Sequence, residues 1–100
     1  MTPTPPDAEQ RAVQVTITGR VQGVGFRAWV TWEAQERGLQ GWVCNLSDGG
    51  VQAVFAGPDA AVEAMLAACH RGPSLAIVRR VQTAPWDGPI GPGFEVRYDR

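Results

Sequence analysis

Gly19-Arg20-Val21-Gln22-Gly23-Val24-Gly25 separates two stretches whose apolar residues recur at different periods. Before it, Ala12 to Thr18 alternates: Val13, Val15 and Ile17 fall on one face and Gln14, Thr16 and Thr18 on the other, which predicts a half-buried strand. After it, Phe26, Val30 and Ala34 recur every fourth residue and Glu33 with Arg37 makes an i,i+4 ion pair, which predicts a helix stopped by Gly38. Three glycines in seven positions do not continue a strand comfortably. The segment therefore reads as a turn that converts a strand into a helix.

Outward from that turn the same two periods alternate. A second strand is expected from about Gln40 to Leu46, a tight turn at Asp48-Gly49-Gly50, and a returning strand from Val51 to Ala56. A second helix starts near Pro58-Asp59, carries Val62, Met65 or Leu66, and Cys69 on its apolar stripe, and ends at Gly72-Pro73. A fourth strand is expected from Leu75 to Val81, then a Pro/Gly-rich loop from Ala84 to Gly93, then an alternating close from Phe94 to Tyr98. The order predicts an α+β fold: a ferredoxin-like βαββαβ sandwich, an antiparallel sheet with two helices on one face and a short extra C-terminal strand.

The chain has 100 residues, 44% of them hydrophobic and 19% charged, which suits one globular domain with its own core. We expect that domain over residues 12–100, behind a disordered tail at 1–11 that holds Pro3, Pro5, Pro6, Asp7 and Glu9. No apolar run is long enough to span a membrane, and the N-terminus lacks the apolar core of a secretory signal, so the expected place is the cytoplasm. Nine basic and ten acidic residues give a net charge of −1. Duplex-binding domains normally show a strong positive balance, so nucleic acid is not an expected partner, although a local basic group can still hold a small anion. All nine basic residues are Arg. The absence of Lys excludes Schiff-base and P-loop lysine chemistry; the bias itself, with abundant Ala and Gly, has its plain explanation in a GC-rich genome.

Cys44 and Cys69 are the two thiols, and His70 is the single histidine. A structural zinc site needs four Cys or His ligands and catalytic zinc usually has several His, so no metal and no cofactor is expected. A Ser-His-Asp or Cys-His device would have to use His70, at the end of a helix. Both cysteines are expected to stay reduced, Cys69 as helix packing and Cys44 in a strand.

Chemistry is best sought in the glycine turn. Glycine lets consecutive backbone N–H groups face inward, and the helix that follows adds the positive end of its dipole, so the loop can cradle an anion. Arg27, in the first helical turn, puts a planar and permanent positive charge at the same place. A cation there opposes the dipole unless an anion joins the group, which is how an empty phosphate site would look. A loop that merely connects two elements, with Arg27 on the surface, fits the composition equally well. Gly23-Val24-Gly25-Phe26-Arg27-Ala28 also matches the dinucleotide pattern G-x-G-x-x-A. Asn45 and Leu46 stand where its acidic residue is due, however, and the chain is too short for that fold. The Gly-Phe pair resembles an RNA-recognition core as well, but that module stacks bases on strand aromatics and Phe26 opens a helix. Asn45 closes the strand Gly41-Trp42-Val43-Cys44-Asn45, and alternation sends Cys44 to the opposite face. If Asn45 faces the cradle, Cys44 does not, which argues against a cysteine nucleophile; a plain turn residue at a strand end is the other reading of Asn45.

These residues carry a family resemblance. Gly19-Arg20-Val21-Gln22-Gly23-Val24-Gly25-Phe26-Arg27 resembles the acylphosphatase signature G-x-V-Q-G-V-x-F-R. Gly41-Trp42-Val43-Cys44-Asn45-Leu46-Ser47-Asp48-Gly49, with Val51, is similar to the second signature, G-W-V-x-N-x-x-D-G-x-V. The likeness runs from about Gln14 to Tyr98 and departs at Gly25, a variable position, and at Leu46, where a small hydroxyl residue is often found. It implies metal-independent hydrolysis of small acyl phosphates to a carboxylate and inorganic phosphate. By motif match Arg27 is the phosphate-binding catalytic residue and Asn45 orients the attacking water. The backbone N–H groups of Val21, Gln22, Gly23, Val24, Gly25 and Phe26 complete the cradle. The implied partner is a small-molecule acyl phosphate, with no nucleic acid and no membrane, and nothing demands more than a monomer. Domains of this kind also stand at the front of large carbamoyl-transferring maturation proteins; the length of 100 residues makes a free-standing enzyme the expectation. The third reading is a non-catalytic βαββαβ module for single-stranded RNA, against which low charge and the lack of an aromatic pair on the sheet both speak.

Overall fold

The computed structural model describes residues 10–98. Its elements are β1 (Gln10–Arg20), α1 (Phe26–Glu36), β2 (Gln40–Asn45), β3 (Val51–Pro58), α2 (Asp59–Arg71), β4 (Ile77–Pro85) and β5 (Phe94–Val96). The strands form one sheet in the order β4-β1-β3-β2-β5. β1 and β3 lie side by side and antiparallel, and each pairs antiparallel with a further neighbour, β4 and β2 respectively. β1 and β2 thus run in the same direction with β3 between them, so α1 crosses over β3 and α2 crosses over β1. This is the ferredoxin-like α+β arrangement that the element order predicts.

Period and burial agree at the centre of the molecule. Val13, Val15 and Ile17 from β1, with Val51, Ala53 and Phe55 from β3, meet Phe26, Val30 and Ala34 of α1 and Val62, Met65 and Cys69 of α2 in one buried core. Burying each large aliphatic or aromatic side chain contributes about 1.5–3 kcal/mol, so this layer holds both helices on one face. A smaller cluster of Trp42, Cys44 and Val54 sits on the opposite face, packed by Trp86 and Ile90 from the loop after β4. Glu33 and Arg37 pair at 2.6 Å, as the spacing predicts. The two helical tryptophans divide: Trp29 packs edge to face on Phe26 with centroids 5.4 Å apart, while Trp32 is 59% exposed.

Several boundaries differ from the sequence expectation, and pairing explains each. β1 begins at Gln10, so Gln10 and Arg11 belong to the domain and not to a tail at 1–11; they pair with Pro58 and Gly57. The rest of the expected tail, 1–9, lies outside the described residues. β4 runs Ile77–Pro85 where Leu75 to Val81 was expected, because β1 offers backbone partners as far as Val13, opposite Pro85. Ala84 and Pro85 therefore leave the expected loop; a proline is tolerated because β4 is an edge strand. The closing strand shortens to Phe94–Val96 and pairs parallel to β2, making the sheet mixed where an antiparallel one was expected.

Near the end of β1 the register with β4 shifts between Thr18 and Gly19. A Cβ at position 19 would sit 2.1 Å from the Ile77 carbonyl oxygen, and the backbone there has φ 128°, so only glycine fits. Past this irregularity β1 stays paired as far as Arg20, opposite Ile77, and the chain then leaves the sheet for α1.

Candidate active site

The segment between β1 and α1 is anchored at both ends. Val21 is 1% exposed and Phe26 2%, so the intervening residues are bent between two buried anchors. Gly23 and Gly25 take left-handed backbone angles, φ 74° and 77°. Gly25 caps α1 without any side-chain hydrogen bond, and no acidic residue stands in the first turn. The first N–H groups of a helix have no intrahelical partner and carry the positive end of the dipole. Here the first turn supplies no acidic side chain to neutralise that end.

A cleft of about 290 Å³ opens at this point. Val21, Gln22, Gly23, Gly25 and Phe26 line it from the loop, with Arg27 and Ala28 from the first turn of α1. Asn45 enters it from the end of β2, which puts Arg27 and Asn45 in the same concavity although they lie far apart in sequence. Val24 of the expected loop set does not line the cleft; its half-buried side chain packs on the main core. The guanidinium of Arg27 lies 5.3 Å above the centroid of the Tyr98 ring. Among the described residues no carboxylate pairs with it.

Alternation along β2 sorts the neighbouring residues. Asn45 faces the cleft, and Cys44 is fully buried in the smaller cluster on the other face of the sheet. Cys69 lies in the main core, where burial pushes its thiol from an ordinary value near 9 up to about 12. A thiol held protonated and enclosed is a packing group and not a nucleophile. His70 is in the last turn of α2 and does not line the cleft.

Three contributors were not legible in the sequence. Val96 and Tyr98 close the cleft because β5 pairs alongside β2, a long-range pairing with no local signal. The side chain of Gln22 donates two hydrogen bonds, each 2.8 Å, to the carbonyl oxygens of Leu46 and Gly50 in the β2–β3 turn. A polar amide within a glycine loop was the sole hint, and nothing local says where it reaches. Leu46 thus meets Gln22 through its main chain, while its half-buried side chain packs on the smaller cluster.

Charge is unevenly spread. Arg11 is engaged by Asp59 and Glu63, Arg37 by Glu33, and Arg97 by Glu95. Among the described residues Arg20, Arg27, Arg71, Arg79 and Arg80 have no ion pair. β1 ends at Arg20, α1 begins beside Arg27, α2 ends at Arg71 and β4 begins just before Arg79, so topology gathers these cations at the end of the molecule that carries the cleft. A net charge of −1 conceals a positive pole. The arrangement can hold a compact, multiply charged anion by main-chain donors and one guanidinium, with an amide side chain beside it.

Comparison with known proteins places this architecture. The family model described as acylphosphatase matches residues 13–96. A curated acylphosphatase of Rhodospirillum rubrum is 49% identical over 84 residues, covering 84% of this chain and 92% of its own. The solved structure of an acylphosphatase from Coxiella burnetii superposes with a TM-score of 0.86 at 34% identity, covering 97% of this chain and all of the other. Full-length HypF, solved in a phosphate- and nucleotide-bound form, matches with a TM-score of 0.83 at 30% identity over 91% of this chain and 12% of its own.

Proposed function

Because the chain belongs to the acylphosphatase family, and is thereby a hydrolase, we propose that the cleft between the β1–α1 loop and the end of β2 is its active site. In this reading the loop N–H groups and Arg27 hold the phosphoryl group of a small acyl phosphate, and Asn45 holds a water in line with the scissile bond. Water attacks phosphorus, the P–O bond to the acyl oxygen breaks, and carboxylate and inorganic phosphate leave. The observation that carries the reading is that Arg27, Asn45 and the loop backbone share one cleft.

Leaving-group chemistry explains why so small an inventory suffices. The departing carboxylate has a conjugate acid with a pKa near 4, comparable to an aspartate side chain, so it leaves without a general acid. Phosphoryl transfer then needs mainly positioning and stabilisation of charge on the equatorial oxygens. Fixed amides and a guanidinium fork supply both. No step requires a metal ion. Phosphate monoesters that expel alkoxides need protonation, and the residues lining this cleft include no histidine or carboxylic acid to supply it, so they are expected to be poor substrates.

All the groups named come from one chain, which supports action as a monomer. We place the enzyme in the cytoplasm, on the same reading that takes its two buried cysteines as unoxidised. Among the described residues no helix is long and apolar enough to cross a membrane. Phosphate release from benzoyl phosphate, measured with excess chelator and beside a simple alkyl phosphate monoester, tests the proposal. Chelator-insensitive turnover of the first and little of the second is expected. Abolition by chelator, or a preference for the monoester, overturns it.

A further inference from the structure

Beyond the groups that meet the phosphate, we propose that the side chain of Gln22 is a positioning residue that fixes Asn45 relative to the cradle; this rests on the active-site reading above. The carboxamide has two N–H donors, and both are used. One meets the carbonyl oxygen of Leu46 and the other that of Gly50, at 2.8 Å each. Those carbonyls bracket the turn between β2 and β3, immediately beyond Asn45.

The turn is already closed within itself. Leu46 N–H donates to Gly50 O at 2.8 Å, Gly49 N–H to Leu46 O at 3.2 Å, and Gly50 N–H to the Asp48 carboxylate at 2.9 Å. The cradle likewise has its own supports, the buried Val21 and Phe26 at its ends and the left-handed glycines between. Gln22 is therefore not what forms either part, although its bonds add to the hold on the turn. Its two bonds join one to the other, so the strand end bearing Asn45 and the loop bearing the amides keep one spacing. Orientation matters here: two carbonyl acceptors can be met only by the NH₂ end of the carboxamide. A misplacement of about 1 Å in a positioned group can cost about 10²-fold in rate.

Removal of the donors should consequently lower turnover while leaving phosphate binding in place. For Gln22→Met, which keeps length and loses both donors, kcat on benzoyl phosphate is expected to fall about 10–100-fold, with inhibition by inorganic phosphate changed less than about 3-fold. Gln22→Glu, nearly identical in shape but presenting acceptors to acceptors, should lose at least as much. Because Gln22 acts through Asn45, the loss should not add to that of Asn45→Ala in the double variant. Amide exchange across residues 46–50 should quicken in Gln22→Met, a readout independent of turnover. Wild-type kcat in Gln22→Met, additive losses in the double variant, or unchanged exchange in the turn each overturn the assignment. Failure of the wild-type chain to hydrolyse benzoyl phosphate overturns the active-site reading instead, and the exchange comparison still decides whether Gln22 holds the turn.

Discussion

The molecule contains two strand-to-helix junctions, and they are electrostatic opposites. At β3–α2 the strand ends on Pro58 and the helix begins on Asp59 without an intervening loop. At β1–α1 residues 21–25 intervene, two of them glycines with positive φ. Neither helix start has a side-chain cap hydrogen bond, but α2 has Asp59 in its first turn and α1 has no acid. Where one junction holds a carboxylate that Arg11 also engages at 3.2 Å, the other holds Arg27. Because β1 and β3 are antiparallel, the junctions sit at opposite ends of the sheet. The first is met by an acid from within the chain; the second has none in its first turn and is concave, which suits the anion site proposed above. The difference between the two helix N-termini is thus an acid in one first turn and a longer, glycine-bent loop ahead of the other.

The largest effect should come from removing the cation that marks the difference. Arg27→Ala is expected to lose at least about 10²–10³-fold in kcat, read by steady-state hydrolysis of a synthetic acyl phosphate. Asn45→Ala should lose turnover on a comparable scale while retaining most of its affinity for inorganic phosphate, since the role proposed for it lies with the water. Near-wild-type turnover in either variant contradicts the assignment. Making the two junctions alike gives a sharper test. Ala28→Asp places in the first turn of α1 the acid that α2 already has, at an exposed position lining the cleft. The helix should be stabilised, while KM and the inhibition constant for phosphate rise about 10-fold, because the dipole and Arg27 are then satisfied internally. The converse change, Asp59→Asn, should lower Tm by no more than about 5 °C and leave kcat untouched.

Cys69, on α2, supplies a final and smaller check. Its thiol is held protonated by burial up to about 12, whereas an unfolded chain releases that proton near 9. The folded state binds the proton more tightly, so this contribution to stability is complete below about 9 and is lost as pH rises toward about 12. Denaturant titrations at pH about 7 and about 10 should show the fall, and Cys69→Ala should flatten it without changing kcat.

The core and the site were unequally legible. Val13, Val15 and Ile17, and Phe26, Val30 and Ala34, announce themselves by period, because burial on one face selects apolar residues at every second or every fourth position. The ends of β1 and β4 did not, since Gln10, Ala84 and Pro85 are in strands only through partners elsewhere in the chain. In the site, Arg27 and the glycine loop could be read because glycine spacing and a helix start carry a local physical meaning. That Arg27 and Asn45 belong together came from the family resemblance; spacing alone left both open.

By itself, then, the sequence determined the alternation of strands and helices, the bent loop ahead of α1 and the shortage of acid at that helix start, all consequences of local sterics and local charge. Tertiary structure alone decided that Tyr98 lies beneath the Arg27 guanidinium and that Gln22 ties the loop to the turn beyond Asn45. Those relations depend on strands pairing across long separations. Nothing in a residue's immediate neighbours encodes which distant strand will lie beside it.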